Sequence, residues 1–142
     1  AGQAAHWFDR QKSLPEFRRI LRPGGTVALV WNTMDFAASP FMEGYGQLSQ
    51  RYLANKPERK DELRGGVLDY LGGEAHRRTF PHQWSYDLAG ITGGLLSSSY
   101  APLAGDPQHE PMLQELRALF AANEENGRIR IHYISELYFR RF

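Results

Sequence analysis

LPEFRRILRPGGTVALVWN, residues 14–32, is the stretch whose reading decides the fold. Its first half predicts a helix with an apolar face of Leu14, Phe17, Ile20 and Leu21, stopped by Arg22-Pro23-Gly24-Gly25. Pro23 disfavours helical geometry at Arg22, and the glycines supply the positive φ that a tight reversal needs. Val27 to Trp31 then reads as a short strand, apolar at every position. Such a run is expected to be buried on both faces, as in a parallel sheet covered by helices. One helix-to-strand step of an open α/β sheet is therefore predicted here.

Further helices and strands flank this step. Asp9 can cap the first helix, and Pro15 sits close to its first turn. Ser39-Pro40 is a helix start, with Phe41, Tyr45, Leu48 and Tyr52 at helical spacing behind it. This helical insertion, a lid-like segment, is placed over 33–75, with residues 56–66 as a charged and then glycine-rich linker. Arg77 to Tyr86 alternates Phe80, Trp84 and Tyr86 as a strand, and Pro81 marks it for a sheet edge. Asp87 caps a helix with Leu88, Ile91, Leu95 and Leu96 on its apolar face. Pro107 to Ala122 holds an amphipathic helix, and Ile129, Ile131 and Tyr133 alternate as a closing strand that extends towards Arg141.

Composition narrows the function. The 142 residues fit one domain or a large part of one, and 17 basic against 16 acidic residues leave a formal net charge of +1. That balance argues against a dedicated nucleic-acid or acidic-membrane binder. With no cysteine there is no disulfide, thiolate nucleophile or Cys-ligated zinc, and a reducing compartment fits. No apolar run approaches the length of a membrane span, so the cytoplasm is the expected location. The histidines at 6, 76, 82, 109 and 132 lack ligand-like pairing, so no metal site is expected.

Ala1-Gly2-Gln3-Ala4-Ala5-His6-Trp7-Phe8-Asp9, followed by Glu16 to Gly25, resembles the second half of a class I S-adenosylmethionine-dependent methyltransferase of the small-molecule, type 11 branch. In that family the fourth strand delivers a Gln-x-x-His-Trp-like loop to the active site, and a helix, a Leu-x-Pro-Gly-Gly turn and the fifth strand follow. Ser97 to Pro102 and the segment from Gly127 to Arg141 resemble the same branch more distantly. The resemblance implies a fold class of α/β: the C-terminal part of a Rossmann-like methyltransferase sheet, carrying strands five, seven and six with an antiparallel seventh. Residues 1–142 would form a single partial domain.

The same resemblance implies the site. Gly2, Gln3, Ala4 and Trp7 would face the cofactor, S-adenosylmethionine. His6 would serve as general base or orient the acceptor; packing the helix on the sheet is its other reading. Trp31 and Asn32, where a strand emerges at the ligand side of an open sheet, and Tyr45 would meet the substrate. Core packing is the alternative for Trp31 and for the stripe of Phe41, Tyr45 and Tyr52.

No glycine motif of Gly44-Tyr45-Gly46, Gly65-Gly66, Gly72-Gly73 or Gly93-Gly94 follows an apolar strand and opens a helix, as a cofactor loop must. The chain also opens inside a motif, without Met. We therefore expect a C-terminal portion of a longer enzyme acting on a small-molecule methyl acceptor, with no cofactor held tightly by this portion alone. The exposed edge of the Val27–Trp31 strand would favour a homodimer. A non-catalytic α/β binding or oligomerisation module is the alternative.

Overall fold

The computed structural model describes residues 1–53 and 66–142. A 3₁₀ turn (Ala5–Trp7) leads into α1 (Arg10–Ile20), β1 (Thr26–Met34), α2 (Pro40–Tyr52), α3 (Val67–Leu71), β2 (His76–Tyr86), α4 (Leu88–Leu96), α5 (His109–Asn123) and β3 (Ile129–Arg141). The strands form one sheet in the order β1-β3-β2. The last strand in sequence is thus central and runs antiparallel to its neighbours, matching the expected order of five, seven, six. Pro81 lies on the edge strand β2, where a missing N–H leaves no central ladder broken.

The residues fall into two compact units, and β2 and β3 contribute to both. In the first unit (1–33, 66–81 and 134–142), Val27 and Leu29 of β1 and Tyr138 of β3 are buried with Val67, Tyr70 and Leu71 of α3 and with Ala5. Leu14, Phe17 and Leu21 pack against this core. Ile20, counted above on the apolar face of α1, is 60% exposed. The spacing 14, 17, 21 keeps to one helical stripe, and Ile20 turns off it.

Asp9 caps α1 by accepting from the N–H groups of Gln11 (2.9 Å) and Lys12 (3.3 Å). Pro15 sits inside the helix, beyond its first turn. At the reversal, Gly24 has φ +75°, and the N–H of Gly25 donates to the Arg22 carbonyl at 2.8 Å. Gly24 N–H donates to the Phe142 carbonyl, and Phe142 N–H donates to that of Gly25, both at 2.9 Å. The turn therefore joins the ladder between β1 and β3.

The strand of residues 27–31 corrects one expectation. It runs on to Met34, and it is buried on one face only: Val27 and Leu29 are inside, while Ala28 and Val30 are exposed. Helices α1 and α3 contribute the side chains around Val27 and Leu29. Nor is the outer edge of β1 bare. Gly2 forms a parallel bridge with Val30, whose N–H donates to the Ala1 carbonyl (2.9 Å) and whose carbonyl accepts from Gln3 N–H (2.8 Å). Residues 1–3 thus pair in parallel with the edge that was expected to be exposed.

The second unit (34–53 and 82–133) is held by Phe41, Met42, Tyr45 and Leu48 of α2, which packs along α5. Met112, Leu113, Leu116 and Phe120 of α5, Ile91 and Leu95 of α4, and Ile129 and Ile131 of β3 complete this core. Ser39 caps α2 through Met42 N–H (3.2 Å), and Asp87 caps α4 through Gly90 N–H (2.7 Å). Both caps stand where the sequence placed them. Most of the linker expected over 56–66 lies outside the described residues, and α3 follows directly after it.

Candidate functional site

Gly2 and Gln3, two of the predicted site residues, meet the carboxyl half of β1 at Val30 and Asn32. The bridge at Gly2 holds the loop of residues 2–7 beside Val30. Gln3 sits in the left-handed region, at φ +54°. A residue with a Cβ is held there only when its surroundings over-determine it, at a cost on the order of 1 kcal/mol. Two bonds supply that hold: its N–H donates to Val30, and its side-chain Nε2 donates to the Asn32 carbonyl at 3.2 Å. A Cβ on Gly2 would meet no atom within 4 Å, so the loop has open space on that side.

Asn32 is fixed in turn. Ser135 Oγ on β3 donates to Asn32 Oδ1 at 2.6 Å, which leaves the Asn32 amide N–H groups as the donors it can offer a ligand. Sequence spacing gave no sign of Ser135, since 103 residues separate the pair and only the antiparallel ladder brings them together. Beyond Gln3, Ala5 is fully buried, and the rings of His6 and Trp7 lie 4.9 Å apart at 45°. Trp7 is 79% exposed, an indole face open to solvent beside a fixed loop. Ala4 is half-buried and forms the entry to the 3₁₀ turn.

Trp31 takes the packing role. It stands edge-on to Tyr138, ring centres 5.7 Å apart, against the core of the first unit. Above the same ring, 5.7 Å from its centre, lies the Arg77 guanidinium, which also pairs with Glu136. Tyr45 belongs to the second unit. It is only 4% exposed, stacked on Phe41 at 5.9 Å, and burial pushes its phenol up to about 12. The aromatic stripe of α2 is a helix core, with Phe41 and Tyr45 buried and Tyr52 packed against them. The structure therefore ties Gly2 and Gln3 to β1 at Val30 and Asn32, with Ala4, His6 and Trp7 following on the same loop, and it sets Tyr45 inside a helical core.

Gly44 and Gly46 lie within α2, Gly93 and Gly94 within α4, and Gly72-Gly73 follow α3. Among the described residues, no group of three or more His, Asp or Glu side chains could hold a metal ion, and no helix is long and apolar enough to cross a membrane.

Comparison with known proteins supplies the class. No family model matches the chain. It is 58% identical over 33 residues to an uncharacterized methyltransferase of Mycobacterium tuberculosis, covering 23% of this chain and 14% of that protein. An uncharacterized methyltransferase of Schizosaccharomyces pombe is 40% identical over 50 residues, 35% of this chain and 20% of the relative. The matches thus span a small part of these curated relatives. In three dimensions, a candidate type II methyltransferase of Anaeromyxobacter dehalogenans superposes over 99% of this chain and 62% of its own, with a TM-score of 0.69 at 22% identity. The chain has a methyltransferase fold, and its sequence relatives are methyltransferases.

Proposed function

We propose that this chain is the acceptor-side portion of a class I, type 11 S-adenosylmethionine-dependent methyltransferase that acts on a small molecule in the cytoplasm. The observation that carries this reading is the loop of residues 2–7, held by the Gly2–Val30 bridge and the Gln3–Asn32 bond at the carboxyl end of β1. Ligands of open α/β sheets bind at that end. The residues there fit one part of the cofactor. The backbone of Gly2, Gln3 and Ala4, with free space over Gly2, would line its methionine end, and the exposed Trp7 indole would offer an apolar wall.

When bound, S-adenosylmethionine supplies a methyl group already activated on sulfonium. The protein's task is then to align the acceptor and exclude water. Asn32 Nδ2, oriented by Ser135, would donate to an acceptor oxygen. His6 would accept the proton of a hydroxyl acceptor or hold a carboxylate in place. The described residues present no glycine turn between a strand and a helix for the rest of the cofactor, so the 142-residue polypeptide alone should not turn over.

Two measurements separate these claims. Calorimetric titration of S-adenosylhomocysteine into this polypeptide should give no heat, and clear one-to-one binding would overturn its inactivity. Photo-crosslinking of labelled S-adenosylmethionine to the product of the complete reading frame should label the peptide containing Gly2–Trp7. Label confined to other peptides would remove the loop from the site.

Association through β1 is part of the same proposal. Residues 1–3 pair with β1 around Ala28 and Val30, while Val30 remains 37% exposed on the open face. With the edge paired there, it is the apolar strand face left open to solvent that would favour a second chain. Sedimentation equilibrium should show a concentration-dependent dimer that Val30→Lys abolishes. A monomer at every concentration would rule the dimer out.

A further inference from the structure

The second unit contains a cavity of about 460 Å³, within the size range of small-molecule sites. Its basic wall follows from strand periodicity. Ile129, Ile131 and Tyr133 join the core of this unit, so Arg128, Arg130 and His132 alternate with them and line the cavity.

The turn that opens β3 is closed by backbone hydrogen bonds. Asn126 (φ +54°) and Gly127 (φ +73°) are both left-handed, and Glu125 and Arg128 exchange backbone bonds across them (2.8 and 3.2 Å). That is the two-residue hairpin signalled by an Asn-Gly dipeptide. The start of α2 also lines the cavity, through Ser39, Pro40 and Phe41, and its helix dipole adds partial positive charge.

Arg128 is held in place from one side. Its Nε donates to Ser85 Oγ and its Nη2 to the Ser85 carbonyl, both at 2.8 Å. The planar fork is thereby set with Nη1 left to act as a donor. Arg130 lies 3.4 Å from Glu125, and both side chains are more than half exposed. An exposed pair of this kind is weak enough for an incoming anion to displace. With Glu125 the one carboxylate lining the cavity against two guanidinium groups, the lining carries net positive charge before His132 is counted.

We propose that this cavity binds a small oxyanion-bearing molecule, a carboxylate or a phosphate ester, through Arg128 and Arg130 with support from the α2 N-terminus. The site lies wholly within the second unit and stands whether or not the chain takes part in methyl transfer.

The test is amide NMR of the 142-residue protein at low salt, titrated separately with succinate and with inorganic phosphate. Saturable shifts are expected at Asn126, Gly127 and Arg130. Arg130→Gln should weaken binding about tenfold, the scale of one charge-assisted hydrogen bond. Arg19→Gln on α1 should leave it unchanged. The tighter anion identifies the source, carboxylate or phosphate. Shifts that match sodium chloride at equal ionic strength, or that Arg130→Gln leaves intact, overturn the proposal. Arg130 is exposed, and the same spectra report whether the variant folds.

Discussion

Leu29→Ala is expected to cost about 2–5 kcal/mol of unfolding free energy, whereas Val30→Ala beside it costs about 1 kcal/mol or less. Leu29 is completely buried in a core shared with α1 and α3, so removing its side chain leaves a cavity that rigid neighbours fill poorly. Val30 points to the open face, 37% exposed. Urea unfolding of both variants checks the difference. Equal costs would mean that β1 is covered on both faces in solution, and dilution would then show whether a second copy supplies the cover.

Alkaline destabilisation carried by Tyr45 is the second large effect. Burial raises its phenol from 10.0 to about 12, because ionisation would place a charge inside the helical core. The native state therefore keeps this proton at pH values where the unfolded chain loses it. The stabilisation is complete below pH 10 and disappears as the pH rises through about 12. Two pKa units correspond to about 2–3 kcal/mol, enough to remove a large share of a small domain's stability. Tyr45→Phe should flatten the fall in thermal midpoint above pH 10. Tyr133 is raised to about 12 as well, by burial first and then by Tyr86, so some slope will remain. A wild-type midpoint that does not change between pH 9 and 11 would contradict the buried phenol.

The proposed site divides between what sequence can show and what it cannot. Gly2, Gln3, His6 and Trp7 lie within one short motif, and the loop they form was legible through the family resemblance that this motif carries. Asn32 was legible too, as the polar residue ending an apolar run. Its orientation was not, because Ser135 reaches it only through pairing of β1 with β3. Tyr45 shows the reverse case. Helical spacing marked Phe41, Tyr45 and Tyr52 as one stripe, and spacing is the same for a lid as for a core. Only packing against α5 distinguishes them, and it buries the stripe.

The anion cavity follows the same division. Alternation along residues 128–133 was visible in the sequence, but a strand pattern does not say what stands across from its basic face. Ser85 and the start of α2 come from distant parts of the chain, and tertiary structure alone puts them around Arg128 and Arg130.

By itself the sequence determined α1, α2, α4 and α5, their caps at Asp9, Ser39 and Asp87, and the Pro-Gly-Gly reversal, each of which depends on dihedral preference or on periodicity within a few residues. The order of the strands followed only from the family resemblance. The tertiary structure decided that β1 is buried on one face, that residues 1–3 pair with its edge, that Ile20 faces water and that Tyr45 does not. Burial is a property of what lies opposite a side chain, and residues far along the chain supply it.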